Sequence, residues 1–315
     1  MSWSVSALVM VLLWSVATPR ALRAFHRGRA PSARVMLALW MLATIAWLLS
    51  CVVLLITLAT QMMGAGVKAF IAACVDLVQA VHTNGAESGL VALGLLATAG
   101  LTRLVWTAVR RYRDRAAWVR EHLGWLADSA RQRTVHLNRV WLLDSPDPLA
   151  YCLPGKNMRI VVTSGALEHL TEPELRAVLA HEQAHLKGRH HPLLTWIRLL
   201  DTAFPGVPLF RAAARDVPEL VEWAADDRAA REVGPHALAH ALGVMATAQV
   251  RSPEAALSMS GACPVRRVRR QIGPRRGTSG VVENIGAALV LLLPLALTVV
   301  ATVVNVASPY CECVG

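Results

Sequence analysis

Residues 35–60 contain no charged side chain. As a helix such a run is about 39 Å long, more than the ~30 Å hydrocarbon core of a bilayer. Trp40 and Trp47 lie within it. A chain of 315 residues that is 55% hydrophobic has more apolar surface than an ordinary soluble protein of this size can bury. The uncharged run is therefore predicted to cross a membrane.

Three further stretches share its character. Residues 3–18 are apolar up to Pro19. No basic residue precedes them and no small-x-small cleavage site follows, so a retained span is predicted, with a cleaved signal peptide as the alternative. Residues 89–109 form the next span, with Arg103 near its end positioned to reach an interface. Residues 281–306 form the fourth. Between the second and third spans, 67–81 is predicted as an extracytoplasmic amphipathic helix, because Lys68 and Asp76 make it too polar to cross.

The net charge of +11 is carried almost wholly by arginine. The arginines cluster at 20–34, 110–120 and 266–276, each beside an apolar span. The positive-inside rule then predicts a multi-pass protein of the cell membrane, with residues 111–280 in the cytoplasm, both termini outside and 307–315 as a short extracytoplasmic tail. Attraction to anionic lipid accounts for the basic flanks, so the bilayer is the expected partner and nucleic acid is not. Six cysteines show no C-x-x-C spacing. Cys311 and Cys313 read as tail thiols, with a tail disulfide or metal site as the alternative.

The segment 111–280 has soluble composition and enough length to bury a core. A helix is predicted around 112–132, then short strands at 139–143, 150–153 and 158–163, the last stopped at Ser164 and Gly165. Residues 193–204 are predicted as core, 217–233 and 236–249 as helices, and 251–280 as a basic loop. The fold class is thus an α-helical membrane protein with four transmembrane helices and an inserted, mainly-α, α+β domain carrying a small β-sheet.

The chemistry lies in that domain. His181-Glu182-Gln183-Ala184-His185 reads H-E-x-x-H. Two histidines four apart on a helix point to nearly one side, so both imidazoles reach one ion. Glu182 then stands where a carboxylate can take a proton from an attacking water. Two nitrogen ligands, a base and an open position are the layout of a zinc hydrolase. The motif is predicted to sit on a well-specified helix: Thr171 and Glu174 spell a capping box, Pro173 suits the first turn, and Leu170 and Leu175 form a hydrophobic staple. Glu222 is the expected third ligand. Asp226, one turn further, is placed to accept the free ring N–H of a ligating histidine.

With these residues in view, Thr163-Ser-Gly165, Leu170 to Leu175, Val178 to His185 and Glu222-x-x-Ala-Asp226 resemble the membrane-embedded gluzincin zinc metallopeptidases. These comprise the HtpX and CAAX prenyl endopeptidase group and the BlaR/MecR-type antirepressor peptidases. The continuation to His191 and the arrangement of spans resemble the latter more. The resemblance implies one zinc ion held by His181, His185 and Glu222, with Glu182 as catalytic base. It also implies a protein or peptide substrate that adds as a strand to an edge strand containing Arg159, Ile160, Val161 and Val162. The implied activity is a zinc-dependent endopeptidase, repressor-cleaving or engaged in membrane-protein quality control. Only nine residues follow the last span, so no β-lactam-sensing domain is expected. His190, His191, His236 and His240 are candidates to stabilise an oxyanion by residue type alone. A receptor or scaffold using zinc structurally is the alternative; it needs a fourth ligand, and neither Cys152 nor Cys263 has a paired spacing that supplies one.

Overall fold

The computed structural model describes residues 2–29, 31–62, 85–136, 138–153, 159–247, 263–273 and 280–311. The expected helix at 67–81 and Cys313 lie outside them, as does the side chain of Cys311.

Helix α1 (Ser2–Arg29) and helix α2 (Ala33–Met62) are followed by α3 (Gly85–Ser129), a single helix of 45 residues. Strands β1 (Ala130–Val135), β2 (Asn138–Leu143), β3 (Ala150–Leu153) and β4 (Arg159–Thr163) come next. Helices α4 (Ser164–His169), α5 (Glu172–Lys187), α6 (His190–Ala203), α7 (Pro208–Val233), α8 (Pro235–Thr247), α9 (Pro264–Ile272) and α10 (Val281–Cys311) complete the chain.

Among the described residues, three helical segments are long and apolar enough to cross a membrane: Leu8–Arg29, Ala33–Ile56 and Val281–Val300. The expected span at 89–109 is the first half of α3. Its Leu101, Val105, Trp106 and Val109 are exposed, but it is not among the three, and the side chains of 85–97 are not described. The first helix does not stop at Pro19. It runs on through the arginines to Arg29, because arginine is a good helix former and its partners lie on other helices. Arg23 forks onto Asp216 of α7 at 2.8 and 3.1 Å, and Arg29 reaches Glu283 of α10 at 2.5 Å. Residues 20–29 are therefore helix and not loop.

The sheet has the order β1-β2-β4-β3. Strand β1 pairs antiparallel with β2, β2 parallel with β4, and β3 antiparallel with β4. This corrects the assignment of Arg159, Ile160, Val161 and Val162 to an edge. The antiparallel pairing of β3 and β4 seats β4 against β2, so both its sides are already hydrogen-bonded. The edges are β1 and β3. Strand β1 begins inside the helix expected around 112–132, which ends instead at Ser129. Its sequence, Ala-Arg-Gln-Arg-Thr-Val, has mostly exposed side chains and no apolar face to betray it.

At the end of β4 the chain turns at once into α4. The Thr163 hydroxyl caps that helix by accepting the Ala166 N–H at 3.2 Å. Gly165 sits against the turn that follows β2: a Cβ there would lie 2.0 Å from the carbonyl oxygen of Pro146. Helix α5 begins as the sequence predicts. Glu174 accepts the Thr171 N–H at 2.7 Å within a capping box, and Leu170 and Leu175 are buried in one cluster with Val178 and Leu179.

The largest core does not respect the border between spans and domain. Val11, Leu22, Met36, Trp40, Ala43 and Trp47 from α1 and α2 join Leu194, Ile197 and Leu200 from α6 and Leu209, Phe210, Val217 and Val221 from α7. Trp47 meets Phe210 edge-on with ring centroids 5.1 Å apart. The stretch 193–204 is core, as its apolar spacing suggests.

Candidate metal centre

Two helices bring the site together. Helix α5 presents His181, Glu182 and His185; α7, packed across it, presents Glu222 and Asp226. All five side chains are buried, from 0 to 4% exposed. One turn of helix separates the two histidines, and their Nε2 atoms lie 3.0 Å apart. Glu222 Oε2 stands 3.6 Å from His181 Nε2, and its Oε1 stands 3.6 Å from His185 Nε2. One ligand atom from each of His181, His185 and Glu222 falls within 4.8 Å of the other two.

The donor set fits a zinc ion. Two imidazole nitrogens and a carboxylate oxygen are ligands zinc takes in sites that keep an open position. Glu222 Oε2 is buried and faces the Arg267 guanidinium at 3.1 Å without an aligned hydrogen bond, so it keeps acceptor capacity for a metal cation. The ring orientation fits as well. Asp226 Oδ1 lies 3.0 Å from His181 Nδ1 and so leaves Nε2 to face Glu222. His185 Nδ1 is engaged 3.0 Å away by His190 Nδ1, which again leaves Nε2 inward.

A residue that the sequence reading left in a basic loop completes the cluster. Helix α9 carries Arg267 into the centre with no exposed surface. Its guanidinium grips Asp226 at 2.9 and 2.6 Å, and its Nη1 lies 3.1 Å from Glu222 Oε2. Its neighbours are paired too: Arg266 with Glu219 at 3.0 Å, and Arg270 with Asp227, the ion pair lying under the Trp223 ring. The assignment of these arginines to lipid alone is thus corrected, because each has a carboxylate on α7. The one signal in the sequence was Pro264, a residue that favours a first helical turn.

Burial and charge set the protonation of the group. Burial is the largest influence on His181 and pulls its pKa down, yet hydrogen bonds to Asp226 and Glu222 outweigh it and raise the value to about 9. His185, buried and close to other imidazoles, is pushed well below the ordinary range. Burial likewise lifts Glu182 to about 7, although charge on His181 opposes it. Asp226 is held well below the usual carboxylate range because Arg267 and His181 overcome its desolvation.

Of the four oxyanion candidates, the structure brings two to the centre. His190 touches His185, and His191 lies with Nε2 3.4 Å from Cys152 Sγ and Nδ1 3.2 Å from Arg115. His236 is exposed on α8, and His240, also exposed, pairs with Glu174 at the α5 cap. Cys152 is close, beside Glu182 and His191, but does not belong to the ligand group. On the other flank a small apolar hollow beside His181 and Glu182 is walled by Leu238, Ala241, Leu242 and Met245 of α8.

Residues 113–215, about a third of the chain, match the model of Peptidase family M48. The matched segment includes the H-E-x-x-H helix. The chain is 38% identical over 104 residues to the chloroplastic plastoglobule-localized metallopeptidase 48 of Arabidopsis thaliana, covering 32% of this chain and 30% of that protein. It is 34% identical over 79 residues to a Protease HtpX homolog of Thermoplasma acidophilum, and 37% identical over 78 residues to one of Persephonella marina. Those two matches cover 24% of this chain and 25% and 26% of the relatives. The chain thus spans under a third of the length of the curated relatives it matches. No solved structure matches. The expected resemblance to the HtpX-related metallopeptidases is supported over this segment; the match does not extend to the finer BlaR/MecR type.

Proposed function

We propose that the chain is a membrane-bound, zinc-dependent endopeptidase that hydrolyses peptide bonds in a protein substrate. One observation carries this reading: three ligand atoms from two helices converge within 4.8 Å, with Glu182 beside the first of them on the same buried helix. His181, His185 and Glu222 would hold the zinc ion, which when bound would supply Lewis acidity toward a peptide carbonyl and water. Glu182 accepts the proton of the attacking water and returns it to the leaving amine. Burial favours the protonated form of Glu182 and a bound zinc would oppose it, so the two effects act in opposite directions on the base. Asp226 holds the His181 tautomer, and Arg267 neutralises the charge that two buried carboxylates would otherwise leave unpaired.

The substrate backbone adds to β3 and not to β4. Strand β3 pairs with β4 on one side only among the described residues, and its Cys152 lies against His191 and Glu182. An extended peptide on that edge would pass along the face of α5. The small hollow by Glu182 favours a compact apolar side chain near the cleaved bond.

The apolar helices support a site tethered at a bilayer, and the charge pattern favours the cytoplasmic side. A regulatory protease that cleaves a repressor is the finer reading from the continuation to His191. Quality control of membrane proteins, implied by the resemblance to the HtpX group, is the second reading; two relatives are named Protease HtpX homolog. The test uses the full chain in detergent with casein as an unfolded probe. Wild type is expected to cleave it. Glu182→Gln is expected to lose cleavage while keeping one zinc per chain by mass spectrometry. Full-rate cleavage by that variant would sink the mechanism, and a coordinatively saturated zinc would favour the scaffold alternative.

A further inference from the structure

Behind the metal-binding helix, on the side away from Glu182, lies a second and larger cavity of about 350 Å³. Its walls come from three helices: Arg34 and Leu37 of α2, Ala184, Lys187 and Gly188 at the end of α5, and Ala224 and Arg228 of α7. His190 and Leu193 of α6 close it. Three cations line it, and no carboxylate is among its lining residues.

Two features set these cations apart. Several arginines on α1 and α9 are matched by carboxylates: Arg23 by Asp216, Arg29 by Glu283, Arg266 by Glu219 and Arg270 by Asp227. Within the cavity only Arg228 has one: its Nε pairs with Glu232 at 3.2 Å, and the Nη end of its fork meets no carboxylate among the described residues. Lys187 donates only to the neutral Gln183 amide, and Arg34 has no carboxylate partner among the described residues. The second feature is depth. Arg34 stands on the first turn of α2, where the candidate span Ala33–Ile56 begins. The mouth therefore opens where a bilayer's headgroups meet its hydrocarbon, and Leu37 and Leu193 furnish an apolar floor for the start of an acyl chain.

We propose that this cavity is a binding site for the phosphate of an anionic phospholipid headgroup, held by Arg34, Lys187 and Arg228. Arginine forks match phosphate oxygens bidentately, and lysine adds a point charge. A free phosphate offers the same chemistry without the acyl chain. The occupant would rest on His190, whose Nδ1 is 3.0 Å from His185 Nδ1, so a filled cavity buttresses the metal-binding helix from behind. Binding itself does not depend on the peptidase reading.

The test is native mass spectrometry of the full chain released from nanodiscs of equal phosphatidylglycerol and phosphatidylcholine. Wild type is expected to retain phosphatidylglycerol at least about tenfold over phosphatidylcholine. Arg34→Ala with Lys187→Ala is expected to lose that preference, while Arg20→Ala with Arg27→Ala, which removes as much charge from exposed positions on α1, keeps it. Retention of neither lipid, but of inorganic phosphate lost in the cavity variant, would assign the same site to a soluble phosphate. Equal lipid preference in wild type and the cavity variant would overturn the proposal. So would binding of a peptide C-terminal carboxylate with no binding of phosphate or lipid.

Discussion

Arg267 and Asp226 form a bidentate ion pair, at 2.9 and 2.6 Å, with neither side chain exposed. A pair so placed is not a source of net stability by itself, since both charges have left water. Removing one partner is another matter. Arg267→Ala leaves Asp226 and Glu222 buried without their counter-charge and is expected to cost about 3–5 kcal/mol. Arg267→Lys keeps the charge but loses the fork and is expected to fall between the two. Thermal melts of the three proteins in one detergent check the order; a wild-type melting point for the alanine variant would show that the pair is dispensable.

Asp226, 3.0 Å from His181 Nδ1, is placed to act through that ring on a zinc ion bound as proposed. Asp226→Asn is expected to weaken zinc binding about 10–100-fold, because the amide no longer accepts the Nδ1–H as an anion does. Competition with a chelator of known affinity measures this. An unchanged affinity would mean that Asp226 serves Arg267 alone.

The cap of α5 should respond to acid. Burial, the largest influence on Glu174, works to raise its pKa, but the Thr171 hydrogen bonds and His240 together bring it below the ordinary glutamate value of 4.5. A depressed carboxyl contributes stability that is present above the unfolded value and is lost as pH falls through the folded one. Wild type is therefore expected to lose melting temperature as pH drops below 4.5, and Glu174→Gln to lose less over that interval. Thr171→Ala is expected to cost about 1 kcal/mol at neutral pH. Parallel acid slopes for wild type and Glu174→Gln would exclude the carboxylate as the cause.

Gly165 is a close-approach glycine. A Cβ there meets backbone at 2.0 Å, and backbone cannot step aside as a flexible side chain can. Gly165→Ala is expected to destabilise by at least about 1–3 kcal/mol, the range for overpacked sites. Gly124→Ala, with nothing within 4 Å of the new methyl, is the matched control. Equal melting points for the two would refute the packing account.

What could be read from the sequence was local. His181, Glu182 and His185 declare themselves because one helical turn fixes their relation, and Thr171 and Glu174 fix the helix. Glu222 and Asp226 needed only the assumption of a second helix. Arg267 was not legible: six arginines crowd 266–276, and only the packing of α9 against α7 and α8 selects which one turns inward. The sheet order was hidden for a similar reason. The parallel pairing of β2 with β4 skips over β3, and nothing in Arg159 to Thr163 reveals a neighbour on each side. Polar β1 offered no alternation at all.

The contact of Trp47 with Phe210 has a mechanical meaning. His181 and His185 belong to a helix seated on the sheet, whereas Glu222 belongs to a helix whose apolar face rests on α1 and α2. The gap between the two imidazoles and the carboxylate is thus spanned on one side by protein and on the other by elements that a bilayer tilts and spaces. If zinc binds as proposed, hydrocarbon thickness would bear on the distance from Glu222 to the two imidazoles. Excised from its spans, α7 would lose that apolar support and keep only its contacts to α5, α6, α8 and α9, Arg267 among them, to aim Glu222.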